Sequence, residues 1–333
     1  MDISSNHQIF LGFDTSCYTT SLGIVDINGV VLKDLRRVLK VKSGGRGLRQ
    51  SEALFQHVNN LPELLAEATE GGKGLNIKGV GFSARPRAQD DSYLPVFLAG
   101  ANFGKALAFA AGVGFFAFTH QAGHIRAALA DVASELLAED QKFLGIHLSG
   151  GTTEVLMVRK KTSGFTVELL GGTTDLHAGQ MIDRLGVAMG LPFPAGRHLE
   201  LVAAQSSFAE GIEAARTDFT LPISVRDLSL SFSGPTTAGF RLLKQGVAYP
   251  DLAWAIQDCI LRSVSTLVKK AVQFTGCTRV LLFGGVASNS HLRKGLLSSF
   301  PDLDLDLYFS RPGLSTDNAV GIALLAREQW SGE

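Results

Sequence analysis

Apolar residues along this chain form several short runs with the alternating or continuous hydrophobic character of β-strands. Longer segments between them repeat apolar residues at helical spacing. Strands and helices that alternate in this way predict an α/β fold. The predicted strands are residues 9–38 (three strands), Ile77–Ser83, 143–158 (two strands), Thr166–Leu170, Arg279–Phe283 and 305–309.

The helical segments contain one proline and one strongly apolar stretch that affect the prediction. Pro62 lies mid-helix, where it removes a backbone N–H and clashes with the preceding turn, so we expect a kink or break there. The run Ala106–Phe118 is interpreted as a buried helix that ends near Gly112 or Gly114, followed by a buried strand. The predicted helices are Ser51–Thr69, Asn102–Ala111, 119–137, 179–191, 198–207, Pro250–Thr275 and 319–330.

One strand–turn–strand segment occurs twice. Residues 10–25 (FLGFDTSCYTTSLGIV) align without a gap on residues 143–158 (FLGIHLSGGTTEVLMV). Each has a turn of small hydroxylic residues, whose backbone N–H groups and hydroxyls suit anionic oxygens. Two unrelated hairpins are the alternative, which a gap-free match over sixteen residues argues against. A duplicated hairpin resembles the signature of the actin-like ATPase (ASKHA) superfamily. The resemblance implies two related α/β domains, 1–130 with 318–333 and 131–317, with a nucleotide and metal cleft between them.

Length, charge and cysteine content limit the function classes. A chain of 333 residues suggests about two domains. Lys plus Arg equals Asp plus Glu at 31 each, so an RNA partner would need a local basic patch or a helper protein. Cys17, Cys259 and Cys277 are widely spaced, which favours a reducing compartment and argues against a cysteine-based zinc site. The N-terminus lacks a signal-peptide pattern and the most apolar run is too short to span a bilayer, so we expect a cytoplasmic protein without a membrane partner.

A pair of histidines provides a candidate metal site. His120 and His124 are four residues apart on a predicted helix, so both imidazoles project from one face. The residues between them include no glutamate, which removes the general base of an H-E-x-x-H protease. Asp317 is the best candidate for a third ligand, although capping the final helix would also explain it.

A second candidate site follows the strand Arg279–Phe283, which runs directly into Gly284, Gly285 and a helical segment. A strand, a glycine pair and a helix in succession would present backbone N–H groups at a helix N-terminus. Such an end binds anions, so this segment predicts a nucleotide site.

Eight motifs in one order resemble the TsaD family, formerly called the glycoprotease or O-sialoglycoprotein endopeptidase family. Its members transfer threonylcarbamoyl to the tRNA adenosine next to the anticodon. The resemblance covers almost the whole chain. In order, the motifs are GFDTSCYTTSLGIV, GGRGLRQSEALFQHVNNLPELL, HQAGH, LSGGTTEV, AGQMIDRLGVAMGLPFPAG, SFSGPTTA, LLFGGVASNSHLR and STDN.

The resemblance implies site residues, cofactors and partners. Candidate catalytic residues are Asp14 and Asp183, and Asp183 would also hold the ribose or the acyl-adenylate. The cofactors would be a divalent metal (iron or zinc, with Mg accompanying the nucleotide) and ATP, ADP or an acyl-adenylate. The partners would be tRNA and a TsaB-like actin-fold protein or a second copy of the chain. The implied metal ligands are His120, His124 and Asp317, and the implied nucleotide contacts are Ser149, Gly150, Gly151, Asp183, Gly196, Gly284, Gly285 and Asn289.

Several charged residues of the family pattern are replaced, and His147 enters the phosphate hairpin where the family is apolar. This loss indicates a divergent paralogue, because carboxylates are the groups best suited to orient an amine or move a proton. Three alternatives to tRNA modification remain open: a carbamoyl-type transferase acting on a small molecule, a non-catalytic nucleotide-binding partner and, less favoured, a sugar kinase. The replacements are Asp14, Tyr18, Thr19, Leu176, Gln180, Thr236 and the loop 84–97.

Overall fold

The computed structural model describes residues 7–16, 18–41, 48–69, 74–88, 92–130, 134–162, 164–210, 220–316 and 319–332. The strands are β1 Gln8–Ser16, β2 Thr19–Asp26, β3 Val31–Val38, β4 Asn76–Arg85, β5 Gly114–Thr119, β6 Lys142–Leu148, β7 Thr153–Lys160, β8 Phe165–Thr173, β9 Val225–Arg226, β10 Ser229–Leu230, β11 Arg279–Phe283 and β12 Asp306–Phe309. The helices are α1 Gln50–Ala68, α2 Phe97–Ala111, α3 His120–Ala128, α4 Ala178–Ala188, α5 Gly196–Ala203, α6 Ser233–Lys244, α7 Tyr249–Thr275, α8 Ser290–Ser298 and α9 Val320–Ser331.

The strands form two sheets with the same internal plan. The first has the order β3-β2-β1-β4-β5, and the second has β12-β11-β6-β7-β8-β10-β9. In each, an antiparallel hairpin (β1–β2 or β6–β7) is followed by two parallel strands (β4 and β5, or β11 and β12) on the side of its first strand. The second sheet therefore repeats the first and adds the short strands β9 and β10.

The two hairpins also share one pairing register. Asp14 lies opposite Ser21 in the first hairpin, and His147 lies opposite Glu154 in the second. Both residues of the second pair lie 133 positions beyond their counterparts, which is the offset of the sequence alignment. Because a one-residue slip would turn every side chain to the other face, a shared register preserves which residues face each side.

The chain divides into two compact units. Unit 1 comprises Met1–Gln141, Lys160–Thr166 and Gly313–Glu333, and unit 2 comprises Lys142–Arg159 and Val167–Pro312.

In unit 1 one face of β1 packs with α1 and α2, and the other face packs against α9. The α9 backbone comes so close that a Cβ added at Gly12 would lie 2.4 Å from the Ala319 carbonyl oxygen. In unit 2 the core lies between β6 and the helices α4, α5 and α7.

Most predicted elements are confirmed, with three corrections. The α1 helix runs unbroken through Pro62, so a break there is wrong. Its proline cannot donate to the carbonyl of Val58, but Val58 is exposed and water can reach that part of the helix. The strand β5 is not buried, because it lies at the edge of its sheet and exposes Phe115. The α3 helix ends at Ala128, earlier than predicted, and residues 131–133 of that prediction lie outside the described residues.

The helix α6 was not predicted. Its first turn reads Ser-Gly-Pro-Thr-Thr, which has low helix propensity, and the chain folds there through tertiary packing instead. No helix among the described residues is both long and apolar enough to cross a membrane.

Candidate functional site

The two histidines of HQAGH meet at the start of α3. Thr119 caps this helix, since its hydroxyl oxygen accepts a hydrogen bond from the Ala122 N–H at 3.1 Å. The cap fixes the helix so that His120 is its first residue and His124 follows one turn later. The two Nε2 atoms are 3.0 Å apart, and the imidazole planes are inclined by 82°. The two nitrogens lie within hydrogen-bonding distance of each other and are also close enough to serve as two ligands of one ion.

Asp14 orients the first of these histidines. It is fully buried near the end of β1, and its Oδ1 lies 3.0 Å from His120 Nδ1. A buried carboxylate favours the imidazole tautomer that carries its proton on Nδ1, which places a lone pair on Nε2. Metal-binding histidines are oriented and made more basic in the same way. Asp14 was a candidate catalytic residue in the sequence, and the structure brings it together with His120.

The helix that carries the histidines is held against α9. A Cβ added at Gly321 would lie 1.9 Å from the Gly123 carbonyl oxygen, so the two helices touch through their backbones between His120 and His124. One turn further on, Arg126 Nε donates to Glu328 Oε1 at 2.5 Å, and both side chains are largely buried. These contacts position α3 and therefore the histidine pair.

Asp317, the third predicted metal ligand, lies outside the described residues. Within those residues no group of three or more His, Cys, Asp or Glu side chains is arranged to hold a metal ion. The loop just before Asp317 is anchored by Arg36, whose Nη1 donates to Thr316 Oγ1 at 2.5 Å and whose Nη2 donates to the Gly313 carbonyl. Two imidazole nitrogens, one of them on a ring that a buried carboxylate orients, have the donor chemistry that a divalent metal accepts.

A third histidine, His57, is buried in the same unit. Its Nδ1 lies 2.8 Å from Thr20 Oγ1, which also accepts from Asn60 Nδ2 at 3.0 Å. Burial lowers the pKa of His57 to about 4, although the nearby Asp14 carboxylate opposes this shift. His57 is therefore neutral at physiological pH and holds the second strand of the hairpin through Thr20.

In unit 2 the turn Ser149–Thr152 joins β6 to β7 and is closed by the Ser149 N–H, which donates to the Thr152 carbonyl at 2.8 Å. The N-terminus of α4 lies directly against it. A Cβ added at Gly179 would lie 2.5 Å from Gly150 Cα, and the Gly179 N–H donates to the Ser149 carbonyl at 3.2 Å. By contrast, Cβ atoms added at Gly150 and Gly151 would meet open space. The structure thus places small residues at an open turn beside a helix N-terminus, an arrangement that suits phosphate oxygens.

The Gly284–Gly285 turn packs on the same strand end. Gly284 has φ +99°, a conformation that favours glycine, and a Cβ there would lie 2.3 Å from the Leu148 carbonyl oxygen. The helical segment predicted after the glycine pair begins as a short 3-10 turn over Val286–Ser288, and α8 follows from Ser290. Asn289 caps α8 by accepting from the Leu292 N–H at 2.9 Å, and its Nδ2 donates to Gln257 Oε1 at 2.5 Å.

Asp183 and Gly196 lie at the junction of α4 and α5. Asp183 Oδ1 accepts a hydrogen bond from the Ala195 N–H at 2.7 Å and thereby fixes the segment that leads into α5. Burial raises the pKa of this carboxyl, and the Ala195 N–H partly offsets the rise. Gly196, the first residue of α5, has open space where a Cβ would be.

Comparison with known proteins identifies the family. Residues 49–324 match the family model described as "TsaD: tRNA N6-adenosine threonylcarbamoyltransferase". The chain belongs to the TsaD family. The duplicated hairpin, the histidine pair and the glycine turns described above are thus elements of a TsaD protein.

Named relatives agree with this assignment. The tRNA N6-adenosine threonylcarbamoyltransferase of Thermus thermophilus is 31% identical over 317 residues, which cover 95% of this chain and 91% of the relative. A probable bifunctional tRNA threonylcarbamoyladenosine biosynthesis protein of Thermoplasma volcanium is 29% identical over 95% of this chain and 55% of its own length. These relatives support a role in threonylcarbamoyladenosine formation on tRNA.

Solved structures confirm the actin-like ATPase fold. HypF from T. kodakarensis superimposes with a TM-score of 0.60 at 15% identity, over 99% of this chain and 49% of HypF. The activator of 2-hydroxyisocaproyl-CoA dehydratase from Clostridium difficile, solved with ADPNP, gives a TM-score of 0.53 at 12% identity over 97% of this chain and 96% of its own. At these identities the likeness concerns the fold alone.

Where this TsaD protein departs from the family pattern, the new residues have structural partners. Gln180 Oε1 accepts from the His177 N–H at 3.1 Å and caps α4. Thr236 is buried and donates to the Phe232 carbonyl at 2.7 Å. His147 is buried and stacks on Phe283 with ring centroids 4.6 Å apart. Tyr18 is partly exposed at the first hairpin turn, and its neighbour Cys17 lies outside the described residues.

Asp175 was missed by the sequence analysis. Its carboxylate accepts hydrogen bonds from Ser231 Oγ and from the Phe232 N–H, so it ties the segment before α4 to the first turn of α6. Partial burial would raise the pKa of Asp175, but hydrogen bonds from Ser231, Ser233 and two backbone N–H groups lower it to about 2. The only sequence signal was the acidic pair of the family pattern at positions 175 and 176. In this chain Asp175 is kept, whereas the second acidic residue is replaced by Leu176.

Proposed function

We propose that this protein transfers the threonylcarbamoyl group from its adenylate to the tRNA adenosine beside the anticodon. The observation that carries the proposal is the contact series Asp14–His120–His124. The buried Asp14 carboxylate orients the His120 imidazole, and His120 Nε2 lies 3.0 Å from His124 Nε2. Family membership supports the substrate, and this geometry supports retained metal chemistry.

Within unit 1, His120 and His124 would hold a divalent metal, iron or zinc, together with Asp317. The bound metal would polarise a carbonyl oxygen of the acyl group. Asp14 would keep the proton of His120 on Nδ1, so that Nε2 remains a ligand. The close packing of Gly123 on Gly321 would hold α3, and with it both imidazoles, in place beside Asp14.

Within unit 2, the turn Ser149–Thr152 would hold the phosphate of the adenylate, whose leaving group is AMP. The N–H groups of Gly150 and Gly151 and the N-terminus of α4 would stabilise its negative charge. Asp183 would fix the turn before Gly196, and Gly284 and Gly285 would shape the neighbouring wall. Asn289 would contact the adenosine, and its hydrogen bond to Gln257 would hold this side of the site in place.

Reconstituted turnover tests this proposal. The full chain would be mixed with threonylcarbamoyl-adenylate, unmodified tRNA and the partner proteins that family members need, and the modified nucleoside would be measured by mass spectrometry. We expect turnover, and we expect Asp14→Asn to lower both metal content and turnover. Asp302→Asn is the matched control, because it removes an exposed carboxylate before β12. The absence of modified adenosine with fully metal-loaded wild-type protein would refute the proposal.

A non-catalytic nucleotide-binding partner is the second candidate. Gln180 and Thr236 replace charged family residues and are engaged in a helix cap and a buried hydrogen bond, which favours this role. Binding of ADP without turnover, together with stimulation of an active homologue, would support it. In either role, we propose a TsaB-like actin-fold protein or a second copy of the chain as the partner.

A further inference from the structure

We propose that the outer surface of α4, α5 and α6 in unit 2 binds the phosphate backbone of RNA. This basic surface consists of five exposed cationic or titratable side chains. Its identification with the tRNA substrate rests on the proposed function. The members are Arg184 on α4, Arg197 and His198 on α5, and Arg241 and Lys244 on α6.

Contacts made by the residues on both sides of Arg184 bring the three helices together. The residue before it, Asp183, is hydrogen-bonded to Ala195, two positions ahead of Arg197. The residue after it, Leu185, packs on α6, where a Cβ added at Gly239 would lie 2.7 Å from Leu185 Cδ1. Arg184 thus lies on a helix that contacts both the segment leading to Arg197 and the helix that carries Arg241.

Ion pairs among the described residues do not compensate the charge of the side chains on this surface. Within the described part of the chain, none of its five side chains forms an ion pair. The carboxylates on α4 and α5 are engaged elsewhere: Asp183 binds the Ala195 N–H, and Glu200 accepts from the Ser290 N–H at 2.8 Å and from its hydroxyl at 2.5 Å. The α6 helix contains no Asp or Glu. The helices α4, α5 and α6 therefore expose four Arg and Lys side chains that are not paired with a carboxylate of these three helices.

The distribution of these charges selects the ligand class. Arg241 and Lys244 are three residues apart on an exposed helical face, and the other cations lie on two neighbouring helices. Cations spread over several helices match the repeated phosphates of a nucleic acid.

An exposed aromatic ring lies within the same surface. Phe193 is 65% exposed on the segment between α4 and α5, which Asp183 fixes through Ala195. Unpaired RNA bases stack on such rings, whereas a duplex offers few accessible base faces. The ring therefore favours an RNA with a single-stranded loop, such as tRNA.

The test is a salt titration of tRNA binding to the full chain by fluorescence anisotropy, with an unmodified tRNA transcript as the probe. Each lost phosphate contact should lower the magnitude of the slope of log K against log salt by roughly 0.7–0.9. We therefore expect Arg241→Gln/Lys244→Gln to weaken binding roughly five- to eightfold per contact at 0.1 M salt and to match wild type near 1 M. The control Lys269→Gln/Lys294→Gln removes the same charge from exposed positions on α7 and α8 and should bind like wild type.

Phe193→Ala is an independent test in the same assay. Loss of base stacking should weaken tRNA binding without changing the slope of log K against log salt. Equal slopes for wild type and Arg241→Gln/Lys244→Gln, or equal loss in both double variants, would overturn the proposal. Equal inhibition by duplex DNA at the same phosphate concentration would also overturn it. Binding is measured without turnover, so an inactive chain that binds tRNA through this surface would refute the proposed function alone.

Discussion

The close contact between α3 and α9 makes Gly321→Ala a sharp test of how the histidine pair is positioned. In the structure, a Cβ at residue 321 would lie 1.9 Å from the Gly123 carbonyl oxygen and 2.7 Å from the Ala127 nitrogen. These atoms belong to the backbone of α3, so no side-chain rotation can relieve the overlap. The variant can fold only if one helix moves away from the other.

The size of the effect follows from this distance. A carbon and an oxygen pack at roughly 3.2 Å or more, so α3 must shift by about 1.3 Å next to His124. Overpacking of this kind costs about 1–3 kcal/mol of unfolding free energy. A displacement of about 1 Å can lower the rate of a catalysed step by roughly a hundredfold. Metal ligands need at least comparable precision, because ligand distances vary by only about 0.2 Å. We therefore expect both lower stability and weaker metal binding.

Two measurements separate these effects. Urea unfolding gives the change in stability, and competition with a chelator for Zn²⁺ gives the metal affinity. Gly74→Ala is the matched control, because its added Cβ meets open space and its stability should stay within about 0.5 kcal/mol of wild type. Wild-type stability in Gly321→Ala would refute the packing argument, and reduced stability with unchanged zinc affinity would refute the link to His120 and His124.

Three further outcomes are expected. The folded state keeps His57 neutral with a pKa of about 4 against 6.5 in the unfolded chain, so the unfolding free energy should fall by up to about 3 kcal/mol as pH drops through this range. Urea titrations in which His57→Gln keeps the same pH slope would contradict this. Asp175→Ala should cost about 0.5–1.5 kcal/mol in the same assay, because it removes solvent-accessible hydrogen bonds to the start of α6; no change would show that they contribute nothing. Gly284→Ala should weaken ADP binding in calorimetry through its strained φ and its contact with Leu148, and wild-type affinity would contradict that role.

Local patterns in the sequence were sufficient for the fold. The repeated hairpin was visible because its turns and apolar positions match without a gap, and the structure confirms it down to the pairing register. The family followed from eight ordered motifs and is confirmed. By contrast, the edge position of β5 depends on how distant strands assemble, so its exposed Phe115 could not be foreseen from an apolar run.

The site was predicted only in part for the same reason. An i, i+4 spacing suffices to place His120 and His124 on one helical face. The contact of His120 with Asp14 joins residues 106 positions apart and exists only because β1, β4 and β5 are neighbours in the sheet. The basic surface was likewise hidden, since a zero total charge says nothing about where the charges lie.

The packing of α9 on β1 has a consequence for synthesis on the ribosome. The first strand of unit 1 begins at Gln8, and the helix that covers one of its faces begins at Val320. At about 5–20 residues per second, the ribosome needs roughly 15–60 s to make the chain between them. Phe10 and its neighbours on that face therefore lack their covering helix until α9 has been translated. A chain that stops before α9 would carry a permanently uncovered sheet face, so the folding of unit 1 depends on a helix made some three hundred residues after its first strand.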